Sequence, residues 1–120
     1  MKILIADDSR AMRQVIAHML RQAGFRGHEY LEAENGLKAL EVVAAEEPDL
    51  IIADWNMPEM TGIEFLQKLR ESGSETPFGF VTTEVSPAMR QLAIDHGARF
   101  LIGKPFTSDD LHTALCDVID

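Results

Sequence analysis

The chain has 120 residues, 46% of them hydrophobic, which is typical of one domain with one core, and we expect a single domain over residues 1–120. Its 20 acidic residues against 11 Lys and Arg give a net charge of −9, which disfavours direct binding to nucleic acid. The lone cysteine, Cys116, excludes an internal disulfide. The N-terminal apolar run is too short for a signal peptide or a membrane span, so we expect a cytoplasmic protein.

The first half of the chain alternates short apolar runs with amphipathic stretches. Residues 2–6 are predicted to form a buried strand, followed by a helix with Asp8 or Ser9 as its N-cap and its end near Gly24. A weaker strand over 28–33 suits a sheet edge, and Asn35 precedes a second helix that Pro48 ends. The residues predicted to face the core from these helices are Met12, Val15, Ile16, Met19, Leu20, Ala23, Leu37, Leu40, Val43 and Ala44.

The second half continues the same alternation. The predicted strands are residues 50–54, 78–81 and 99–102. Gly79 indicates close packing against a neighbouring strand. Helices are predicted after Gly62 and after the N-cap Ser86, with Pro87 in the first turn. A last helix is predicted at Thr107-Ser108-Asp109-Asp110, which supplies an N-cap hydroxyl and early acidic residues. Their predicted core-facing residues are Ile63, Leu66, Leu69, Met89, Leu92, Ala93, Leu111, Ala114, Leu115 and Val118.

Five strands alternating with five helices predict an α/β fold, a doubly wound parallel sheet with helices on both faces. The carboxyl ends of parallel strands meet at one edge, where ligands bind in such folds. Polar residues end or directly follow the first, third, fourth and fifth predicted strands: Asp7 and Asp8, Asp54, Thr82 and Lys104. We expect these side chains to lie close together.

Crowded carboxylates repel one another, and a divalent cation with oxygen ligands would hold them ionised. Mg²⁺ fits best, because it accepts one or two carboxylates together with phosphate oxygens. Asp54, alone at the end of the central strand, is the predicted nucleophile for phosphoryl transfer. Lys104 would pair with one phosphate oxygen, and Thr82 would hydrogen-bond another.

These residues resemble those of a known family, the receiver domains of bacterial response regulators, and most closely its single-domain, CheY-like members. The resemblance rests on Asp7-Asp8, Asp54-Trp55-Asn56-Met57-Pro58, Thr82 and Lys104-Pro105-Phe106. It implies a flavodoxin-like sheet with strand order 2-1-3-4-5. It also implies that Asp54 takes a phosphoryl group from the phosphohistidine of a sensor histidine kinase or a histidine phosphotransfer protein.

The resemblance further implies roles for individual residues. Mg²⁺ would be bound by Asp8, Asp54 and the backbone carbonyl of Asn56, with Asp7 acting largely through a metal-bound water. Lys104-Pro105 would be a cis peptide, and Thr82 would move toward the phosphoryl group on activation. Asn56, together with Glu84, would tune dephosphorylation, and this pair is similar to the chemotaxis type, which implies a short-lived phosphoryl state.

Two positions depart from the family pattern. Leu101 replaces the Tyr or Phe common three residues before the lysine, with Phe100 beside it, and Thr83 replaces a small residue. In the family that this chain resembles, the aromatic ring turns inward when the threonine moves. The chain keeps the threonine, Thr82, and lacks the aromatic ring at Leu101. The surface expected to bind a downstream protein target is the fourth helix, fifth strand and fifth helix, centred on Met89, Arg90, Phe100, Leu101 and His112.

Three classes of function remain open from the residues. A phosphorylation-switched signalling module is favoured over a conventional enzyme, because the chain ends after its fifth helix and output would be binding. A metal-dependent aspartyl-phosphate phosphohydrolase would need a second Asp two residues after Asp54, where Asn56 stands, and an insertion that caps the substrate. A constitutive pseudo-receiver would not need all five site residues.

Overall fold

A computed structural model describes residues 1–116, which form five strands and five helices in alternation. The strands are β1 (Lys2–Ala6), β2 (Glu29–Ala33), β3 (Leu50–Asp54), β4 (Phe78–Thr82) and β5 (Phe100–Gly103). The helices are α1 (Arg10–Gln22), α2 (Gly36–Glu46), α3 (Gly62–Glu71), α4 (Pro87–Asp95) and α5 (Ser108–Leu115). Three strands differ from the predicted bounds by one residue, since β2 begins later, β4 ends later and β5 is displaced toward the C-terminus. Among residues 1–116, no helix has the length and apolar sequence that a membrane crossing needs.

The sheet is parallel throughout, in the order β2-β1-β3-β4-β5, which confirms the predicted fold class. Its two faces carry separate cores. One core lies under α1 and α5, and the other lies under α2, α3 and α4. Because β3 is covered on both faces, all five of its residues are buried, as its continuous apolar sequence predicts.

The predicted helix starts are confirmed by their capping contacts. Ser9, rather than Asp8, caps α1 by accepting a hydrogen bond from the Met12 amide. Asn35 caps α2, and Ser86 caps α4 with Pro87 in its first turn. Thr107 caps α5 in a reciprocal capping box. A side-chain oxygen at such a position satisfies amides that the first helical turn leaves without a partner.

The predicted core faces are wrong at four helix positions. Val15, Leu37 and Leu92 are 43%, 46% and 39% exposed, and Ala44 is also exposed. In α2 the fully buried side chain is Ala39, and the predicted Leu40 and Val43 are partly buried against the same core. Apolar residues surround most of α2, so apolarity alone does not fix which side of the helix faces inward. Val118, predicted to face the core from α5, lies outside the described residues.

Gly79 permits a close contact in the sheet, as predicted. A Cβ atom at this position would lie 2.0 Å from the Phe100 ring, so only glycine leaves room for that ring. Phe100 packs against the core under α1 and α5, whereas its neighbour Leu101 is buried in the opposite core. The aromatic residue of β5 therefore lies on the other face of the sheet from Leu101.

Candidate functional site

Strand register brings the predicted polar residues to one edge of the sheet. Ala6 pairs with Ala53, so Asp7 follows β1 at the level where Asp54 ends β3. Thr82 pairs with Gly103, so Lys104 follows β5 just beyond Thr82. Side chains alternate between the two faces of a strand. By this alternation, three site residues belong to the face of the sheet that packs against α1 and α5: Asp7, Asp54 and Lys104.

Lys104 pairs with two of the carboxylates. Its Nζ lies 3.1 Å from Oδ2 of Asp7 and 3.7 Å from Oδ2 of Asp54. The side chains of these groups are 11%, 1% and 11% exposed, so the ion pairs are shielded from water. A buried carboxylate needs such partners to remain ionised, and Lys104 is therefore not a solvated surface lysine.

Asp8 completes an acidic cluster with the two buried carboxylates. Asp7, Asp8 and Asp54 each offer one oxygen, and these oxygens lie within 4.8 Å of one another. Asp8 is exposed, which leaves one side of the cluster open to solvent. The donors are all hard oxygen ligands on a small, partly open site, and they fit a cation that keeps several of its own waters, as Mg²⁺ does.

The pKa of the Asp54 carboxyl is raised above its ordinary value of 3.8. Burial is the main cause, because it disfavours the charged form, and the negative charges of Asp7 and Asp8 act in the same direction. The positive charge of Lys104 and a hydrogen bond from the Asn56 amide to Asp54 Oδ1, at 3.4 Å, oppose the shift. Asp54 is thus a basic carboxylate in a shielded position.

Asp7 is fixed by hydrogen bonds along its whole length. Its amide donates to the Ala33 carbonyl at 3.0 Å, and its Oδ1 accepts from the Ser9 amide at 2.9 Å. Its carbonyl accepts from Nη1 of Arg13 at 2.6 Å. Sequence reasoning missed Arg13, because this contact involves a backbone carbonyl and leaves no mark on residue type.

A second missed residue is Gly62, the first residue of α3. A Cβ atom there would lie 2.3 Å from the Asp54 carbonyl oxygen and 2.9 Å from the Phe80 ring. The Gly62 amide also donates to the carbonyl of Trp55 at 2.8 Å. Glycine therefore lets α3 begin directly against the end of β3, which closes the loop after Asp54. Only its place shortly after that strand could have indicated this role.

Thr82 is fully buried, and by the alternation along β4 it belongs to the face of the sheet that packs against α2, α3 and α4. Its carbonyl accepts from the Lys104 amide at 2.6 Å, and its Oγ1 accepts from the Glu84 amide at 3.3 Å. Because the hydroxyl oxygen is the acceptor here, its proton remains available to donate. Thr82 thus connects Lys104, which pairs with the acidic cluster, to the loop that leads to α4.

The two residues predicted to tune dephosphorylation both have exposed side chains, since Asn56 lies in the loop after Asp54 and Glu84 in the loop after Thr82. Thr83 is exposed as well, and it does not fill space in the core. The predicted cis peptide Lys104-Pro105 is present.

The structure brings together part of the predicted partner surface. Arg90, Phe100 and Leu101 line one groove, and Nη1 of Arg90 lies 3.5 Å from the Leu101 carbonyl. Met89 is instead half-buried against the core under its helix. The ring of His112 stacks on Phe25, with 5.7 Å between ring centroids, near the C-terminal end of α1.

Comparison with known proteins gives a consistent set of relatives. A family model described as the response regulator receiver domain matches residues 3–116. The chemotaxis protein CheY homolog of Campylobacter jejuni is 38% identical over 122 aligned positions, which cover 99% of this chain and 92% of that protein. Chemotaxis protein CheY1 of Helicobacter pylori is also 38% identical, with 96% and 94% covered. A solved structure of Vibrio cholerae chemotaxis protein CheY4 matches with a TM-score of 0.86 at 38% identity, covering 98% of this chain and 97% of that one.

Proposed function

The chain belongs to the response regulator receiver domain family, and we propose that Asp54 is its phosphoacceptor. It is a CheY-like receiver, a signalling module of two-component systems. One observation carries the assignment of the acceptor: Oδ2 of Asp54, at the end of the central strand, lies 3.7 Å from the Lys104 ammonium. Burial also raises the pKa of this carboxyl group.

Transfer begins when a carboxylate oxygen of Asp54 attacks the phosphorus of a phosphohistidine. An O–P bond forms as the N–P bond breaks, and the imidazole leaves with the electron pair and takes up a proton. In the separate hydrolysis step, a water oxygen attacks the phosphorus of the acyl phosphate, and the bond between phosphorus and the Asp54 oxygen breaks. The carboxylate leaves with the electron pair, and the protons of the water pass to the phosphate and to solvent. This releases inorganic phosphate and restores the Asp54 carboxylate, so the chain turns over its own modification without being a conventional enzyme.

Receiver domains bind Mg²⁺ at an acidic cluster, and residues 1–116 contain one such cluster. In our proposal Asp8, Asp54 and the Asn56 carbonyl hold the ion, and Asp7 acts largely through a metal-bound water. The ion supplies charge neutralisation where an anionic carboxylate and an anionic phosphoryl group approach each other. Asp7 also keeps Lys104 beside Asp54 by pairing with its ammonium at 3.1 Å.

Lys104 and Thr82 would bind the transferred group. The ammonium has three protons and can turn from the carboxylates to a phosphoryl oxygen. The Thr82 hydroxyl can donate its proton to another oxygen, and this would draw the residue toward Asp54. Because the Glu84 amide donates to Thr82 Oγ1, such a movement would carry the start of the loop to α4 with it.

The donor in this proposal is a sensor histidine kinase or a histidine phosphotransfer protein in the cytoplasm. The output is a change in binding to a downstream protein, through the surface made by α4, β5 and α5 and centred on Met89, Arg90, Phe100, Leu101 and His112. Leu101 is 6% exposed and has neither ring nor hydroxyl, so we expect it to follow the switch rather than drive it. Asn56 and Glu84 would set a short lifetime for the phosphoryl group.

The decisive experiment incubates the chain with acetyl phosphate and Mg²⁺ and measures intact mass. We expect a gain of one phosphoryl group, and no gain for Asp54→Asn. Asp49→Asn is the matched control, because Asp49 precedes the same strand and its Oδ2 accepts from the Lys2 amide at 2.8 Å. It should be labelled like the wild type. Labelling that persists in Asp54→Asn, or no labelling of the wild type, would refute the assignment.

A further inference from the structure

We propose that Arg13 is a positioning residue for the magnesium site, holding the turn that carries Asp7 and Asp8 in its binding arrangement. The inference rests on the proposed function, because it concerns the same acidic cluster. Arg13 bonds to the Asp7 carbonyl and to Glu32, so its role at the acidic cluster would be exerted through the backbone of Asp7.

The side chain of Arg13 bridges two elements. It leaves α1, donates through Nη1 to the carbonyl oxygen of Asp7 at 2.6 Å, and donates through Nε to Oε1 of Glu32 on β2 at 2.8 Å. Only 13% of the Arg13 side chain is exposed, against 50% for Glu32. A planar guanidinium can make both bonds at once because its donors point in fixed directions. Arg13 thereby ties the turn after β1 to the neighbouring edge strand.

The choice of acceptor matters for the chemistry. Asp7, Asp8 and Asp54 repel one another before a cation binds, and this repulsion favours opening of the turn. An arginine paired with one of these carboxylates would oppose the repulsion but would compete with the metal for its ligands. Arg13 binds the Asp7 carbonyl instead, so it holds the turn in place without itself occupying a carboxylate oxygen of the cluster.

The chain also offers a matched control on the same helix. Arg21 of α1 extends over the Tyr30 ring of β2, with its guanidinium carbon 4.8 Å from the ring centroid. Both arginines therefore join α1 to β2, but only Arg13 also bonds to the turn after β1. If Arg13 acts merely by attaching the helix to the strand, the two positions should behave alike.

The test compares Arg13→Lys, Arg21→Lys and Glu32→Gln with the wild type in Mg²⁺ titrations. Trp55 fluorescence and the Mg²⁺-dependent rise in melting temperature report binding without requiring phosphorylation. We expect Arg13→Lys to raise the Mg²⁺ dissociation constant by about tenfold, as residues that orient metal ligands do, and Glu32→Gln to raise it less. Lysine keeps the charge but cannot reproduce the two fixed bonds. Arg21→Lys should titrate like the wild type.

Two further measurements separate positioning from general destabilisation. The rate of labelling by acetyl phosphate should need more Mg²⁺ in Arg13→Lys and reach the wild-type maximum once the ion saturates. In metal-free protein, hydrogen exchange of the Asp7 amide should accelerate in Arg13→Lys and not in Arg21→Lys, because that amide bonds to Ala33 beside Glu32.

The outcomes separate the role of Arg13 from the proposed function of Asp54. A wild-type Mg²⁺ response that Arg13→Lys reproduces would overturn the role of Arg13 and leave the proposed function standing. Equal losses in Arg13→Lys and Arg21→Lys would also overturn it, since both would then only attach the helix. A wild type with no Mg²⁺ response and no labelling would count against the proposed function itself.

Discussion

The acidic edge around Asp7 and Asp54 and the loop between β4 and α4 lie next to each other but differ in how they are held. Asp7 and Asp54 are buried, and Asp7 is bonded through its amide, carbonyl and carboxylate. In residues 83–85 the side chains are exposed, and the Glu84 amide bonds to Thr82. Because the acidic edge has more hydrogen bonds and less exposure, we expect the loop to rearrange more readily than the acidic edge.

This difference matches the division of labour in a switch. Phosphoryl transfer is fastest when the attacking and stabilising groups are already in place, so a fixed acidic edge favours the chemistry. Signal output requires an element with two arrangements, and such elements belong to the least stable parts of a fold. The two regions are joined at Lys104, whose side chain pairs with Asp7 while its amide donates to the Thr82 carbonyl.

The largest expected effect comes from removing the Lys104 ammonium, which pairs with the acidic edge. Lys104→Met keeps the aliphatic stem and removes the ammonium, which in the proposed mechanism is a charged partner of the phosphoryl group. We expect phosphorylation by acetyl phosphate to slow about a hundredfold, the usual cost of removing one such stabilising donor. Lys68→Met on α3 is the control, and its rate should be unchanged. A loss of less than threefold would show that Lys104 does not act on the transferred group.

Next in size is the effect of removing the Thr82 hydroxyl. Thr82→Val keeps the volume of this buried residue and loses both its proton and its acceptor, so labelling should slow about tenfold, consistent with one lost hydrogen bond to a charged group. Beryllofluoride mimics the phosphoryl group and should shift the amide NMR signals of α4 and β5 in the wild type. We expect these shifts to disappear in Thr82→Val and to remain in Thr82→Ser. Full shifts in Thr82→Val would break the proposed connection between the two regions.

A smaller effect concerns stability at the acidic edge. Burial raises the pKa of Asp54 above its unfolded value of 3.8, so this group loses folded-state stability as pH rises from that value through its raised pKa. Asp54→Asn should therefore be more stable than wild type near neutral pH, by on the order of 1 kcal/mol in urea unfolding without Mg²⁺. The difference should vanish in acid, where both side chains are neutral.

The exposed residue Glu41 supplies the charge control for this prediction. Glu41→Gln changes the net charge equally but removes a carboxylate that is solvated on α2, so it should alter stability by less than about 0.5 kcal/mol. If Asp54→Asn is no more stable than wild type near neutral pH, Lys104 fully compensates the burial of Asp54, and the acidic edge is not strained by its own charges.

The smallest expected effect is at Leu101, on the side of the output. Leu101→Met conserves volume in a buried position and should cost less than about 1.5 kcal/mol. The beryllofluoride-induced shifts in α4 should keep their wild-type amplitude, because the proposed switch runs through Thr82 and the following loop. A marked loss of amplitude would instead place Leu101 within the switch itself.

The candidate site was predictable because chain order and sheet geometry determine it. Asp7, Asp54, Thr82 and Lys104 stand at strand ends, and a parallel sheet brings such ends to one edge. The orientation of α2 was predicted only in part. Leu40 and Val43 pack against the core as predicted, but Leu37 is exposed and Ala39 is buried, because both are apolar and only packing selects between them. Arg13 was missed for another reason. Its partner at the site is a backbone carbonyl, which every residue type carries.

The ring of Phe100 above Gly79 has a consequence for how the family pattern can vary. The two positions form a matched pair across neighbouring strands, in which the absence of a side chain at one makes room for an aromatic ring at the other. We expect the two positions to change together in related sequences. A residue larger than Gly79 should be accompanied by one smaller than Phe100. Acquiring an aromatic at Leu101 is independent of this pair, because Leu101 packs on the opposite face.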